Sequence, residues 1–211
     1  MKRGCFITFE GPDGSGKSTQ MERLEQFLTE RNLPILRSRE PGGTEISEAL
    51  RQLILDPSRT EMNSRTEALL YAAARAQHVE EVIRPALDQG ITVICDRFTD
   101  SSIVYQGYGR ELGAVSIRRL NAFATGGLQP DLTILMAIDP ELGRKRAAQR
   151  NAPDRIEAEA LSFHRRVYQG YLEIAEQEPE RIICIDAEAA VDSIAAKIQK
   201  RVAVFLEARN E

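Results

Sequence analysis

Residues 5–19 read CFITFEGPDGSGKST, an apolar strand-like run that passes without a linker into glycines bracketing a lysine. The spacing Gly11-x-x-x-x-Gly16-Lys17-Ser18 constrains the chain more than any other feature. Glycines adopt backbone angles closed to other residues, so successive N–H groups can wrap around an anion. The helix expected to begin near Lys17 turns its positive end toward the same point. Strand, glycine loop and amphipathic helix together form the phosphate-binding loop pattern. Gly11, Pro12, Asp13, Gly14, Ser15, Gly16, Lys17, Ser18 and Thr19 are its candidate residues, with Lys17 on the β- and γ-phosphates and Ser18 on Mg²⁺. The loop signals a bound nucleoside triphosphate and nothing more specific.

Apolar runs at 5–10, 34–39, 92–96, 132–139 and 182–186 read as buried strands, and helical periodicity fills the intervals. Strand alternating with helix over the full length predicts one α/β domain, residues 1–211, with a parallel sheet covered on both faces. Pro85 should kink or end the Ala-rich helical pattern at 66–88. Ligands of such folds gather at the carboxyl ends of the strands. The glycine loop, "REPGGT" and "DRFTDSS" each follow a strand there.

A formal net charge of −4 gives no bulk basic field, so a small nucleotide suits the chain better than a nucleic acid partner. The apolar runs are far shorter than the ~20 residues that span a bilayer, and the N-terminus has no signal-peptide pattern. The expected location is cytoplasmic, with no membrane partner. Cys5, Cys95 and Cys184 fall inside strand-like runs and are read as buried, reduced thiols. His78 and His164 stand far apart without metal-ligand neighbours and are read as surface or boundary histidines.

A switch GTPase would add a D-x-x-G turn and an N-K-x-D string, and neither occurs. A kinase passing a γ-phosphate to a small acceptor fits better. In "CDRFTDSSIVYQGYGR" (95–110), Asp96 at a strand end is placed to organise Mg²⁺, and Arg97 beside it can hold a second phosphate. Ser101, Ser102, Tyr105 and Gln106 add polar groups suited to a sugar and a base, though a polar helix start would look the same. Tyr71 and Arg75 in "LLYAAARAQ" project from one helix face, as a stacking pair or as a plain cation–π contact.

Together "FEGPDGSGKST", "REPGGT", "LLYAAARAQ" and "DRFTDSSIVYQG" resemble the thymidylate kinase family over nearly the whole chain. That resemblance implies a P-loop nucleoside monophosphate kinase fold, a five-stranded parallel sheet flanked by helices with a short lid. It implies transfer of the γ-phosphate of ATP to dTMP, giving dTDP and ADP, with Mg²⁺. It places Tyr71, where the family usually has Phe, on the thymine ring and Arg75 on the base edge. Arg97 would hold the dTMP phosphate, Ser102 and Gln106 the base, and Tyr105 the space of a ribose 2′-OH. Asp13 would lie near the sugar 3′-OH and the metal, and Glu40 would border the acceptor pocket. One branch of the family carries an arginine at the position of Gly14, so the missing cation must come from a lid near 145–157. Arg150 and Arg155 are the first candidates and Arg146 the third. The family is homodimeric, and the Ala-rich helix offers a face for that contact. Alternatives are a same-fold kinase for another nucleotide or nucleoside, such as dUMP, and a non-catalytic nucleotide switch.

Overall fold

A computed structural model describes residues 3–149 and 153–210. Strands β1 (Phe6–Glu10), β2 (Ile35–Arg39), β3 (Thr92–Asp96), β4 (Leu132–Ala137) and β5 (Ile182–Asp186) form one parallel sheet in the order β2-β3-β1-β4-β5. Asp96 pairs in register with both Phe9 and Arg39. The carboxyl ends of β1, β2 and β3 therefore finish level, and the loops leaving them share one rim.

Alternation along β1 sends Ile7 and Phe9 into a layer with Met21, Leu24 and Leu28 of α1 (Lys17–Thr29) and Ile194, Ile198 and Val202 of α9 (Val191–Asn210). Phe6 faces the other side, edge-on to Phe98 at 4.9 Å between ring centroids. That side is covered by α3 (Ser64–His78), α4 (Arg84–Asp88) and α8 (Leu161–Gln177). The layers are completed by α2 (Glu45–Leu55), α5 (Thr99–Ser102), α6 (Ala114–Ala124) and α7 (Pro140–Ala147). Among the described residues no helix is long and apolar enough to cross a membrane.

Three expectations change. The helix does not end at Pro85: α3 runs through a π-helical turn, Val79–Ile83, into α4, with Pro85 in the first turn of α4. The widened turn shifts the hydrogen-bond register, so a residue with no N–H falls where a new helix begins. Cys5 and Cys95 are buried, but Cys184 is exposed, because β5 is an edge strand and its alternate side chains face out. His78 is completely buried and His164 is 8% exposed, so neither lies on the surface. Nδ1 of His78 is 3.0 Å from Glu40 and Nε2 is 2.6 Å from Ser38 Oγ, which supplies the polar partners its burial requires.

Candidate active site

The loop after β1 takes the form its glycines allow. Gly11 has φ 131° and Gly14 φ 76°, and a Cβ on either would meet backbone, that of Met136 and of Gly143 respectively. The arginine that one branch of the resembled family carries at position 14 has no room here. Lys17 is buried and folds its ammonium back on the loop, 3.0 Å from the carbonyl of Gly11 and 3.1 Å from that of Pro12. Burial, then the neighbouring Arg97, lower its pKa, against the pull of Asp96 and Asp13. Ser18 and Thr19 are exposed at the start of α1.

A small cavity of about 150 Å³ opens over this loop, and Ser18 and Asp96 both line it. Among the described residues, neither Asp96 Oδ1 nor Ser15 Oγ, both buried, has a hydrogen-bond partner. An orphaned carboxylate oxygen beside a hydroxyl fits a hard cation. No group of three or more His, Cys, Asp or Glu side chains able to hold a metal exists among the described residues. A cation here would take most of its ligands from phosphate and water, the habit of Mg²⁺.

The acceptor cavity lies next to it. Tyr71 and Arg75 of α3, Asp13 of the loop and Glu40 after β2 line one space of about 150 Å³. Arg97, Ser102, Tyr105 and Gln106 line the same space from the segment after β3. Every residue the resemblance assigned to the acceptor thus meets at one point, although positions 13 to 106 of the chain contribute. Tyr105 is 7% exposed and its hydroxyl has no hydrogen-bond partner among the described residues. Burial pushes the Tyr71 and Tyr105 phenols up, so both stay neutral hydrogen-bonding groups.

Arg75 is more committed than its sequence position suggested. Its guanidinium donates to Glu40 (2.7 Å), Ser102 (3.0 Å), Asn121 (2.7 Å) and the Phe98 carbonyl (3.0 Å). Of its five N–H groups one on Nη2 is left. Gln106 likewise donates to Glu67 at 2.9 Å, which leaves its carbonyl oxygen to face the cavity as an acceptor.

Arg97 stands at the junction of the two cavities. Nη2 donates to Asp13 Oδ1 at 2.8 Å, and Nη1 to the Gly11 carbonyl at 2.8 Å and to Ser101 and Tyr171 at 3.3 Å each. Its Nε and one hydrogen of Nη2 have no partner among the described residues. Burial works against the Asp13 carboxylate, but Arg97 and Lys17 outweigh it and bring its pKa down to about 2. Arg97 in turn is held charged.

The lid arginines differ from expectation. Arg155 lies against the acceptor side: Nη1 is 2.7 Å from Glu67 and Nε donates to the Ile54 carbonyl at 2.8 Å. Glu67 has no solvent exposure, and its charge draws Arg155 and Arg110 inward and away from the phosphate loop. Arg146 donates to the Ala187 carbonyl at 3.1 Å, also away from the loop. Arg150 lies outside the described residues. Among the described residues, Arg144 of α7 is the arginine of this region that lines a larger space, about 620 Å³, beside Pro12 and Asp13.

Sequence reasoning also missed Arg51, Asp154 and Glu157 on the acceptor cavity, and the buried Glu10 behind it. Arg51 donates to the Pro41 carbonyl at 2.9 Å, and burial, then Arg39, lower its pKa. Its place about two turns along an amphipathic helix carries no local signal of a site.

A phosphate loop opening beside a second pocket that carries its own arginine defines a nucleotide kinase of the P-loop class. The thymidylate kinase family profile matches residues 9–198, and the chain belongs to that family. The thymidylate kinase of Deinococcus radiodurans is 50% identical over 198 residues, 94% of this chain and 96% of the relative. That of Lactobacillus helveticus is 49% identical over 207 residues, 94% of this chain and 97% of the relative. The crystal structure of thymidylate kinase from Ehrlichia chaffeensis superposes with a TM-score of 0.78 at 33% identity, covering 95% of this chain and 99% of that one.

Proposed function

We propose that the chain transfers the γ-phosphate of ATP to dTMP, giving ADP and dTDP for dTTP synthesis. The observation that carries this reading is the meeting of Tyr71, Arg75, Arg97, Ser102, Tyr105 and Gln106 on one cavity that abuts the phosphate loop. The thymine ring stacks on Tyr71, with Arg75's remaining N–H and the Gln106 carbonyl on the base edge. The Tyr105 ring stands where a ribose 2′-OH would project. The acceptor phosphate takes the unengaged Nε and Nη2 hydrogens of Arg97 in a paired contact, the geometry that guanidinium and phosphate share.

Phosphoryl transfer asks for in-line placement and cations around the moving group, with little covalent work for the protein. The acceptor oxygen is largely deprotonated near neutral pH, so no strong general base is required. Lys17 exchanges its two loop carbonyls for phosphate oxygens. Asp13 holds Arg97 between the two substrates. Ser18 and Asp96 would hold Mg²⁺, which would supply neutralisation of the β- and γ-phosphate charge. The segment near 145–157 closes over ATP and excludes water. On the geometry above, Arg144 supplies a cation to the lid and Arg155 serves as a strut tying it to Glu67, while Arg150 keeps the lid role that the resemblance implies.

A homodimer is the second part of the proposal. Ile46 and Leu53 of α2, Leu69 of α3, and Val115 and Phe123 of α6 are exposed apolar side chains on helices that pack on one another. The protein works in the cytoplasm, where ATP and dTMP are found.

The test is a coupled ADP-release assay with dTMP, dUMP and deoxythymidine as acceptors. dTMP should give the highest kcat/KM, and turnover should stop without a divalent cation. Equal slow ATP hydrolysis with and without acceptor would mark a nucleotide switch instead.

A further inference from the structure

Glu10, the last residue of β1, has no part in the roles above. It is fully buried and lies behind Arg97, outside the acceptor cavity. Its Oε1 accepts the Phe98 N–H at 2.8 Å. Its Oε2 accepts the hydroxyls of Ser101 at 2.5 Å and Tyr171 at 3.0 Å. These are the two hydroxyls on which Arg97 Nη1 rests. A hydroxyl has one hydrogen, so when both hydroxyls give theirs to the ionised Glu10 rather than to each other across 2.9 Å, their lone pairs face the guanidinium.

The backbone points the same way. Arg97 has φ 68°, a left-handed conformation that non-glycine side chains disfavour. The peptide groups on both sides of it are pinned, Arg97 N–H by the Phe9 carbonyl and Phe98 N–H by Glu10, each at 2.8 Å. Tyr105 closes the arrangement from the cavity side, its ring centre 5.2 Å from the Arg97 guanidinium.

We propose that Glu10 is the positioning residue for Arg97: it fixes the left-handed turn and sets the polarity of the Ser101 and Tyr171 hydroxyls so that the guanidinium faces the acceptor phosphate. This rests on the reading of Arg97 as the acceptor-phosphate residue. In Glu10→Gln the amide oxygen stays with the Phe98 N–H, and the NH₂ group faces the two hydroxyls. They must then accept; one hydroxyl can donate to the other, 2.9 Å away, and the hydrogen left over turns toward Arg97 and repels it.

Steady-state kinetics on the full chain test the idea. Glu10→Gln should raise KM for dTMP roughly 10–100-fold, the scale of hydrogen bonds to a charged group, with KM for ATP unchanged. Glu10→Asp, which keeps the carboxylate, should recover part of the loss. The double variant Glu10→Gln/Arg97→Ala should be no worse than Arg97→Ala alone, because Glu10 acts only through Arg97. Additive losses, or equal rises in both KM values, would overturn the proposal. If Glu10→Gln does not fold, Tyr171→Phe removes one of the two linking hydroxyls and should show the same selective rise, smaller in size. Ligand-free crystal structures of wild type and the folded variant separate this idea from the activity reading. In Glu10→Gln, Arg97 Nη1 should leave Ser101 and Tyr171. If it stays, Glu10 does not position it, whether or not dTMP is the acceptor.

Discussion

Arg155 Nη1 lies 2.7 Å from Oε2 of Glu67, a carboxylate with no solvent exposure that also binds Gln106 and Arg110. The pair fastens the segment around residue 155 to the helix that carries Tyr71. Glu67→Ala leaves two arginines and an amide without their buried partner and should cost about 3–5 kcal/mol in urea unfolding. Arg155→Ala should lower Tm while reducing kcat less than Arg144→Ala does. If Arg155→Ala proves the worse for kcat, the arginine leaves Glu67 during turnover and acts on the phosphates.

Lys17 is held by two backbone carbonyls of its own loop, so removing its ammonium leaves no buried carboxylate stranded. Lys17→Met should keep the wild-type melting profile and lose roughly 10²–10³-fold in kcat, the usual cost of one preorganised transition-state donor. A circular-dichroism melt beside single-turnover kinetics checks both halves. A large fall in Tm with modest loss of kcat would make the lysine structural.

Two carboxyls should shape the dependence of stability on pH in opposite directions. Asp13 titrates at about 2 in the folded chain against an ordinary 3.8, so its contribution is present above about pH 4 and lost as pH falls through 2. Burial first, then Asp100, raise Glu10 from 4.5 to about 7. Its contribution is full below about pH 4.5 and lost as pH rises through 7. Denaturant midpoints at pH 5 and pH 8 should therefore fall more for wild type than for Glu10→Gln, by on the order of 2 kcal/mol in stability. Parallel profiles for the two proteins would show that the carboxyl does not titrate in this range.

Phe123 is 89% exposed and Leu69 58%, on neighbouring helices with no cover in this chain. Leu69→Glu/Phe123→Glu should shift sedimentation from dimer to monomer, since like charges would then face each other across a two-fold contact. An unchanged dimer would locate the interface elsewhere.

Much of the site was legible because its motifs lie directly after strands. In a parallel sheet those ends share a rim, so Asp13, Glu40, Asp96 and Arg97 could be grouped from order along the chain alone. Helical spacing put Tyr71 and Arg75 on one face, and the family resemblance implied their place at the acceptor. Arg51 and Glu10 were invisible for different reasons. Arg51 looks like any polar residue of an amphipathic helix, and its role depends on how that helix lies over the acceptor cavity. Glu10 looks like the polar end of a strand until Tyr171, distant in sequence, is brought behind it.

Local chemistry settled which groups can meet a phosphate, because the glycine loop's backbone angles and the hydroxyl and cation that follow it are properties of a few adjacent residues. It also settled that strands and helices alternate, since that is written in the period of the apolar positions. Tertiary structure alone decided where the charged side chains point. Arg155 turned to Glu67, Arg75 became a buried strut, and Arg97 acquired its fixed direction. A long side chain is directed by the charges and dipoles it finds when water is excluded, and those arrive from distant parts of the chain.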